Sequence, residues 1–174
     1  LDAILSNTSG CGTTMKDYGF IFRNDKKMKK KAKKISELTK DVSEYFSESL
    51  NLKFKNKEKK LRIAYHSACS MQHGQKVHSQ PIDLLSKTKN EILEIPDGHL
   101  CCGSAGTYNI LQPKIAKQLL KDKVKNIESL KPQIISTGNI GCITQISNGT
   151  NIPIVHTIEI LDWYTGGPKP DVLI

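Results

Sequence analysis

Cys101 and Cys102 are adjacent and followed at once by glycine, in His99-Leu100-Cys101-Cys102-Gly103-Ser104-Ala105-Gly106. A disulfide between chain neighbours is strained, so the pair is poorly placed to bond to itself. Each thiol can instead give a thiolate to one metal centre, and the glycines let the backbone come close to it. Cys11, Cys69 and Cys142 stand apart from the pair and from one another. Soft thiolates select zinc, copper(I) or iron–sulfur clusters. Structural zinc sites are usually built from Cys-x-x-Cys knuckles. None occurs here, since Thr14 stands three after Cys11 and Gln145 three after Cys142. A thiol redox enzyme would want one low-pKa nucleophile and a resolving partner. Five cysteines in separate loops suit a cluster better, with zinc and thiol chemistry left open.

The elements that must gather these thiols are short apolar runs. Ala3 to Ser6 precedes Cys11, Leu61 to Tyr65 precedes Cys69, Ile92 to Ile95 precedes Cys101, and Ile134 to Thr137 precedes Cys142. Each reads as a buried strand bounded by turn residues. Strand and helix signals alternate along the chain, which predicts an α/β fold with a mostly parallel sheet and flanking helices. In such a sheet the carboxyl ends of the strands share one edge, where ligands collect. The cysteine loops are therefore expected at that edge.

Between the strands, a long helix is expected from about Asp25 to Glu48, with Ile35, Leu38, Val42, Tyr45, Phe46 and Leu50 on one face. Ser9-Gly10-Cys11-Gly12 reads as a turn, and Asn51 to Lys60 as a polar connector and domain boundary. A helix is expected near Ser79 to Lys87, with Pro81 in its first turn. Another opens at Pro113, turns Ile115, Leu119, Val124 and Ile127 inward, and stops at Lys131-Pro132. After the Cys142 loop come a short helix near Ile143 to Ser147, a strand from Ile152 to Val155 and a helix from Ile158 to Tyr164. A faint repeat relates Ala3-Ile4-Leu5-Ser6 and Gly10-Cys11 to Ile134-Ile135-Ser136-Thr137 and Gly141-Cys142, and Val42 to Phe46 to Thr157 to Leu161.

The chain has 174 residues, of which 37% are hydrophobic, enough for one good core. No apolar run reaches membrane-spanning length. No secretory signal is visible, and an odd cysteine count argues against a secreted disulfide framework. A reducing cytoplasmic setting is expected, where such cysteines bind metals or do chemistry. The opening Leu1-Asp2-Ala3, without methionine, reads as the start of a fragment. The net charge of +9 is concentrated in Lys26 to Lys34 and Lys53 to Lys60. Such tracts suit a nucleic acid, an anionic membrane or a partner. They also suit a solvated helix face, the plainer reading, because no aromatics interleave with the lysines as single-strand binders require. No specific nucleic-acid partner is expected.

His99 to Asn109 with Gln112-Pro113 resembles the second cysteine-rich "CCG" module of the iron–sulfur subunit of glycolate oxidase. Ser9-Gly10-Cys11-Gly12, Lys16-Asp17-Tyr18-Gly19, His73-Gly74-Gln75, Gln80-Pro81, Thr137-Gly138-Asn139 and Gly141-Cys142 extend the resemblance over nearly the whole chain. It implies residues 1–55 as the end of a first module plus a linker helix, and 56–174 as the second module. It also implies an iron–sulfur cluster, of 4Fe–4S type, held by Cys69, Cys101, Cys102 and Cys142. Cys11 would be the last cofactor-binding cysteine of the first module. The implied role is electron transfer from a flavin (FAD) subunit that oxidises glycolate to glyoxylate, toward quinone or another acceptor. This chain would carry no catalytic residue of that oxidation and would not be competent alone. Peripheral contact with the inner face of the cytoplasmic membrane is compatible with the basic tract. Related CCG subunits of lactate utilisation, glycerol-3-phosphate dehydrogenase or heterodisulfide reductase type remain alternatives, as do a structural zinc-binding module and a basic binding module.

The chain departs from the family in one loop, which reads Ser67-Ala68-Cys69-Ser70 where the family has Asp-Pro-Cys-His. Gln145 stands where heterodisulfide reductase modules have a last thiol, which disfavours their full ligand set. His66 and His73 flank Cys69 and His99 precedes the pair, so each could bond a cluster sulfur or act as a ligand, although surface or capping roles are commoner. The Lys123 and Lys125 region reads as helix surface. No dinucleotide fingerprint is visible, because Gly103 to Gly106 lacks the full glycine spacing.

Overall fold

The computed structural model describes residues 1–49, 52–55 and 60–174. Four strands form one fully parallel sheet: β3 (Arg62–Tyr65), β4 (Glu91–Glu94), β5 (Ile134–Thr137) and β6 (Ile154–His156), in the spatial order β4-β3-β5-β6. Before them, β1 (Ile4–Ser6) and β2 (Thr39–Asp41) make a separate two-stranded parallel sheet. The α/β expectation holds throughout, and the strand positions match the apolar runs that signalled them.

Successive residues of a strand face opposite ways, and both faces of the larger sheet are covered. Ala64 and Ile135 point into one cluster with Val124, Ile127 and Ile146, which come from α7 (Pro113–Ser129) and α8 (Ile140–Ser147). Ile63, Tyr65 and Ile134 point into the other cluster with Leu84, Leu85, Ile160 and Leu161, from α5 (Gln80–Ser86) and α9 (Thr157–Thr165). Pro81 lies in the first turn of α5, as its fixed φ favours. Two positions on α7 depart from the expected inner face: Ile115 is exposed, while Lys123 is buried.

The chain runs from β3 to β4 on one side and then returns past β3 to β5 on the other. The sheet order therefore reverses between β3 and β5. In doubly wound sheets the loops leaving such a pair of strands diverge and leave a crevice at their carboxyl ends.

The long helix expected from Asp25 to Glu48 is instead α3 (Lys29–Leu38), the strand β2, and α4 (Val42–Ser49). Local hydrogen bonds cause the break. Thr39 turns to an extended conformation and its hydroxyl donates back to the Ile35 carbonyl, 2.7 Å. Asp41 then starts α4 by accepting from the Ser43 backbone N–H, 2.9 Å, and Glu44 accepts from the Asp41 backbone N–H, 2.7 Å. These short polar side chains outcompete a helix that the apolar spacing alone would continue. Leu50 and part of the Asn51 to Lys60 connector lie outside the described residues. Two expected loops are helical: the stretch from Ser9 belongs to α1 (Ser9–Lys16), and Cys142 lies in the first turn of α8.

The repeat in the sequence has a structural counterpart. β1 leads into α1 with Cys11 as its third residue, and β5 leads into α8 with Cys142 as its third. β1 pairs in parallel with β2, which runs into α4, as β5 pairs with β6, which runs into α9. α2 (Tyr18–Ile21) and α3 are inserted in the first unit. The two units meet along a polar seam centred on Ser9, which is fully buried. The Asn139 amide donates to the Ser9 hydroxyl, 2.7 Å, which also bonds the Ser70 hydroxyl, 2.7 Å. The Gln75 amide donates to the Ser9 carbonyl, 2.9 Å.

Candidate metal centre

The crevice between β3 and β5 is where the thiols meet. β3 ends at Tyr65, and its outgoing loop carries His66 and then Cys69, which begins a π-helix over Ser70–Gln75. β4 ends at Glu94, and the loop after it carries Cys101 and Cys102. Cys142 comes from α8, whose first turn Asn139 caps by accepting from the Cys142 backbone N–H, 3.1 Å. Three separate segments thus place four thiols at one sheet edge. A short α6 (Tyr108–Leu111) follows the cysteine pair and leads into α7.

The thiols form a chain of interacting neighbours. Cys69 acts on Cys101, Cys101 on Cys102, and Cys102 on Cys142, with His66 beyond. Protons are unevenly shared along it. Cys101 is drawn far down because the Cys102 and Cys69 thiols donate to it, helped by backbone donors including the Gly103 N–H at 3.3 Å. Cys142 is lowered to about 5, first by the Cys102 thiol and then, against its burial, by His66. Cys69 and Cys102 are pushed up, because each donates to a thiolate neighbour and each is desolvated. Cys101 and Cys142 are thus the thiols most readily ionised, and metal binding would release the protons that remain on the four.

The interior end of the site is drier. Cys102 and Cys142 are buried, whereas Cys69 and Cys101 are partly exposed. His66 is only 2% exposed, and its ligating atom and those of Cys102 and Cys142 all lie within 4.8 Å of one another. It lies close enough to Cys142 to favour the thiolate, yet neither ring nitrogen reaches hydrogen-bonding geometry with any partner. A buried polar group left unsatisfied costs about 1–3 kcal/mol. A soft metal or a cluster would satisfy the imidazole and the thiolates together, so the residues present fit a thiophilic metal centre.

Gly103 fixes the cysteine loop against α7. Its φ is +95°, and a Cβ there would lie 2.4 Å from the Ala116 carbonyl oxygen. Lys123, from the same helix, is 2% exposed and donates to the Asp97 carbonyl, 2.9 Å. Burial lowers its pKa, while Cys102, Asp97, Cys101 and Cys142 act in the opposite direction. Lys123 is the residue that the surface reading missed. Its spacing carried a signal, since Ala116, Lys123 and Ile127 share one helical face and all are buried. A cavity of about 300 Å³ opens beside Cys101 and is lined by Leu100, Leu119, Lys123 and Asn126. A larger one of about 570 Å³, lined by Phe46, Leu161 and Pro170, has no cysteine in its wall.

The remaining candidates fall elsewhere. Cys11 is exposed on α1, outside the thiol chain. His73 is exposed and bonds the His99 carbonyl, 3.2 Å. His156 caps α9, accepting from the Ile158 N–H, 3.2 Å. The lysines of the Lys26 to Lys34 tract are all exposed, with Ala32 alone buried, as a solvated face requires.

The open parallel sheet presents an adjacent cysteine pair and two further thiols on its carboxyl-edge loops, and the stretch that carries them, residues 63–147, matches the CCG cysteine-rich domain. Over 161 residues, 92% of its length, the chain is 38% identical to the glycolate oxidase iron-sulfur subunit of Escherichia coli (strain K12) and covers 39% of that protein. It is 25% identical over 167 residues to lactate utilization protein A of Geobacillus sp. (strain WCH70), covering 92% of the chain and 70% of the relative. The corresponding Bacillus subtilis (strain 168) protein is 26% identical over 165 residues, 91% of the chain and 69% of the relative. The chain thus spans about two fifths of the Escherichia coli subunit. Among the described residues, no helix is long and apolar enough to cross a membrane.

Proposed function

We propose that this chain is the cluster-binding portion of an iron–sulfur electron-transfer subunit in a glycolate oxidase-type complex. The observation that carries this reading is the convergence of Cys69, Cys101, Cys102 and Cys142 at the β3/β5 crevice. The 38% identity to a glycolate oxidase iron-sulfur subunit points the same way. These four cysteines hold the cofactor, a 4Fe–4S cluster. When bound, the cluster accepts and passes on one electron at a time. The chain's own residues hold and shield it. Cys102 and Cys142 anchor the dry end, Cys69 and Cys101 the end nearer solvent, and Lys123 sets a positive charge beside the sulfurs. The partly exposed Cys69 and Cys101 mark the side at which a redox partner approaches.

Substrate oxidation belongs to a flavin-containing partner, and quinone or another acceptor takes the electrons onward. Residues 1–55 act as the end of a first CCG module, with Cys11 its cofactor-binding cysteine, and 56–174 as the second module. The matching β1–α1 and β5–α8 units support this division. The protein works in the cytoplasm, with its exposed lysines available for peripheral contact at the membrane's inner face.

Anaerobic purification of the full-length protein, with iron and sulfide analysis and EPR, tests the cluster. A colourless protein with stoichiometric zinc would reject it. Co-purification with its flavin partner, assayed with glycolate, lactate and glycerol-3-phosphate and an artificial dye, tests the substrate. Preferential lactate turnover would move the chain to the lactate-utilisation relatives.

A further inference from the structure

We propose that His66 is itself a metal ligand, completing a mixed cysteine–histidine set with Cys102 and Cys142 at the buried end of the site. This assignment rests on the reading above that the crevice holds a thiophilic metal centre, and adds a residue to its four cysteines.

Of the five histidines, His66 is the one in the interior, at 2% exposure. His73, His78 and His99 are exposed, and His156 is occupied as a helix cap. Both ring nitrogens of His66 are buried and neither makes a hydrogen bond of ordinary geometry, the Cys142 sulfur being the polar group that the ring approaches. Folded proteins rarely leave a buried ring so poorly satisfied, and a metal shared with that sulfur would satisfy it. The buried groups it faces are the thiols of Cys102 and Cys142, all three ligating atoms lying within 4.8 Å of one another. Metal–nitrogen bonds of about 2.0–2.1 Å and metal–sulfur bonds of about 2.3 Å set tetrahedral donors roughly 3.5–3.8 Å apart. A single ion takes all three donors after a small inward movement, whereas in a cluster His66 binds the iron nearest to it.

His66 is also mounted for the task. It follows β3 without an intervening residue, and its backbone N–H donates to the Ser136 carbonyl of β5, 2.8 Å. The imidazole is thus anchored between the two central strands, on the floor of the crevice. A residue further along the loop would lack that support. Imidazole is a ligand for iron as well as for zinc, and replacing a thiolate by a neutral imidazole raises the reduction potential of an iron–sulfur centre.

The test uses full-length protein purified without oxygen from cells grown on 14N- or 15N-histidine. Metal and sulfide analysis identifies the bound metal. With an iron–sulfur cluster, pulsed EPR of the reduced protein should show a strong histidine-nitrogen coupling. That coupling should change on 15N labelling, disappear in both His66→Ala and His66→Gln, and persist in His73→Ala. The labelled wild type decides histidine ligation even where a variant does not fold. If the metal is zinc, X-ray absorption should show imidazole outer-shell scattering that is lost in the same His66 variants; the cluster reading then fails while the ligand assignment stands. An iron–sulfur cluster without strong histidine coupling overturns the assignment and leaves the cluster reading intact. Zinc without imidazole scattering, or protein without metal, overturns both.

Discussion

Replacing Gly103 by alanine should destabilise the cysteine loop far more than the single methyl group suggests. Two costs combine. The residue sits at φ +95°, on the left-handed side that side chains avoid, and that conformation costs roughly 1–2 kcal/mol. The new Cβ would also lie 2.4 Å from the Ala116 carbonyl oxygen and 3.1 Å from the Gln145 side-chain nitrogen. The first neighbour is helix backbone and cannot rotate away. Relieving the overlap means moving the loop off α7, a cost of about 1–3 kcal/mol for an overpacked site. The sum, about 2–5 kcal/mol, is a large part of the 5–15 kcal/mol typical of a domain. Gly106 supplies the control. Its φ is +64°, but nothing lies within 4 Å of a Cβ built there, so Gly106→Ala should show the conformational cost of roughly 1–2 kcal/mol alone. Urea unfolding of the metal-free proteins, followed by circular dichroism, gives both values. Iron content after anaerobic purification should fall in Gly103→Ala and hold in Gly106→Ala. If the two variants are equally stable and equally loaded, the close packing of the loop on α7 does not set the geometry of the pair.

Cys101→Ser and Cys102→Ser should each lose or rearrange the iron centre, whereas Cys11→Ser keeps at least part of the iron signal in the full-length protein; full iron in both pair variants would refute the ligand set. Lys123→Met should keep the cluster but shift its reduction potential to a more negative value, since a buried positive charge beside the sulfurs favours the added electron; an unchanged potential in spectroelectrochemical titration would deny Lys123 that role. Asp41 gives a pH dependence. Burial raises its carboxyl pKa above the ordinary 3.8, against the hydrogen bonds from Ser43. Its contribution to stability is therefore complete below the unfolded value and is lost as pH rises through the folded one, because ionisation favours the unfolded chain. Asp41→Asn should gain on the wild type in urea unfolding as pH rises from the acid range toward neutrality, and a constant difference across that range would contradict the assignment.

The strands and the thiol edge were legible because each depends on local pattern. Ile63, Ala64, Ile134 and Ile135 are buried on both faces of the sheet, so they read as unbroken apolar runs. Each of those runs is followed by a cysteine, and parallel pairing then brings the thiols together. What failed was decided by contacts between distant residues or by single hydrogen bonds. The break at Thr39 lies in hydroxyl and carboxylate bonds that apolar spacing does not register. Lys123 reads as surface by residue type, and only its position relative to Ala116 and Ile127 marks it as interior. His66 gives no local sign of burial. Its environment is made by β5 and α8, which arrive much later in the chain.

The sheet order also bears on when the centre can come into being. β3 lies between β4 and β5, and its register with β5 joins Ile63 to Ile134. As the chain leaves the ribosome, the β3–β4 half exists with Cys69, Cys101 and Cys102 but without its inner neighbour, and the pocket has no far wall. Pairings so distant in sequence close late, because the loop between them must be ordered before any contact rewards it. Cys142 and the wall it belongs to arrive together, on α8 soon after β5. A complete thiol set therefore marks a finished domain. A cofactor held by all four thiols would therefore enter the folded protein, and Cys69 and Cys101, which still meet solvent, mark the open side of the crevice.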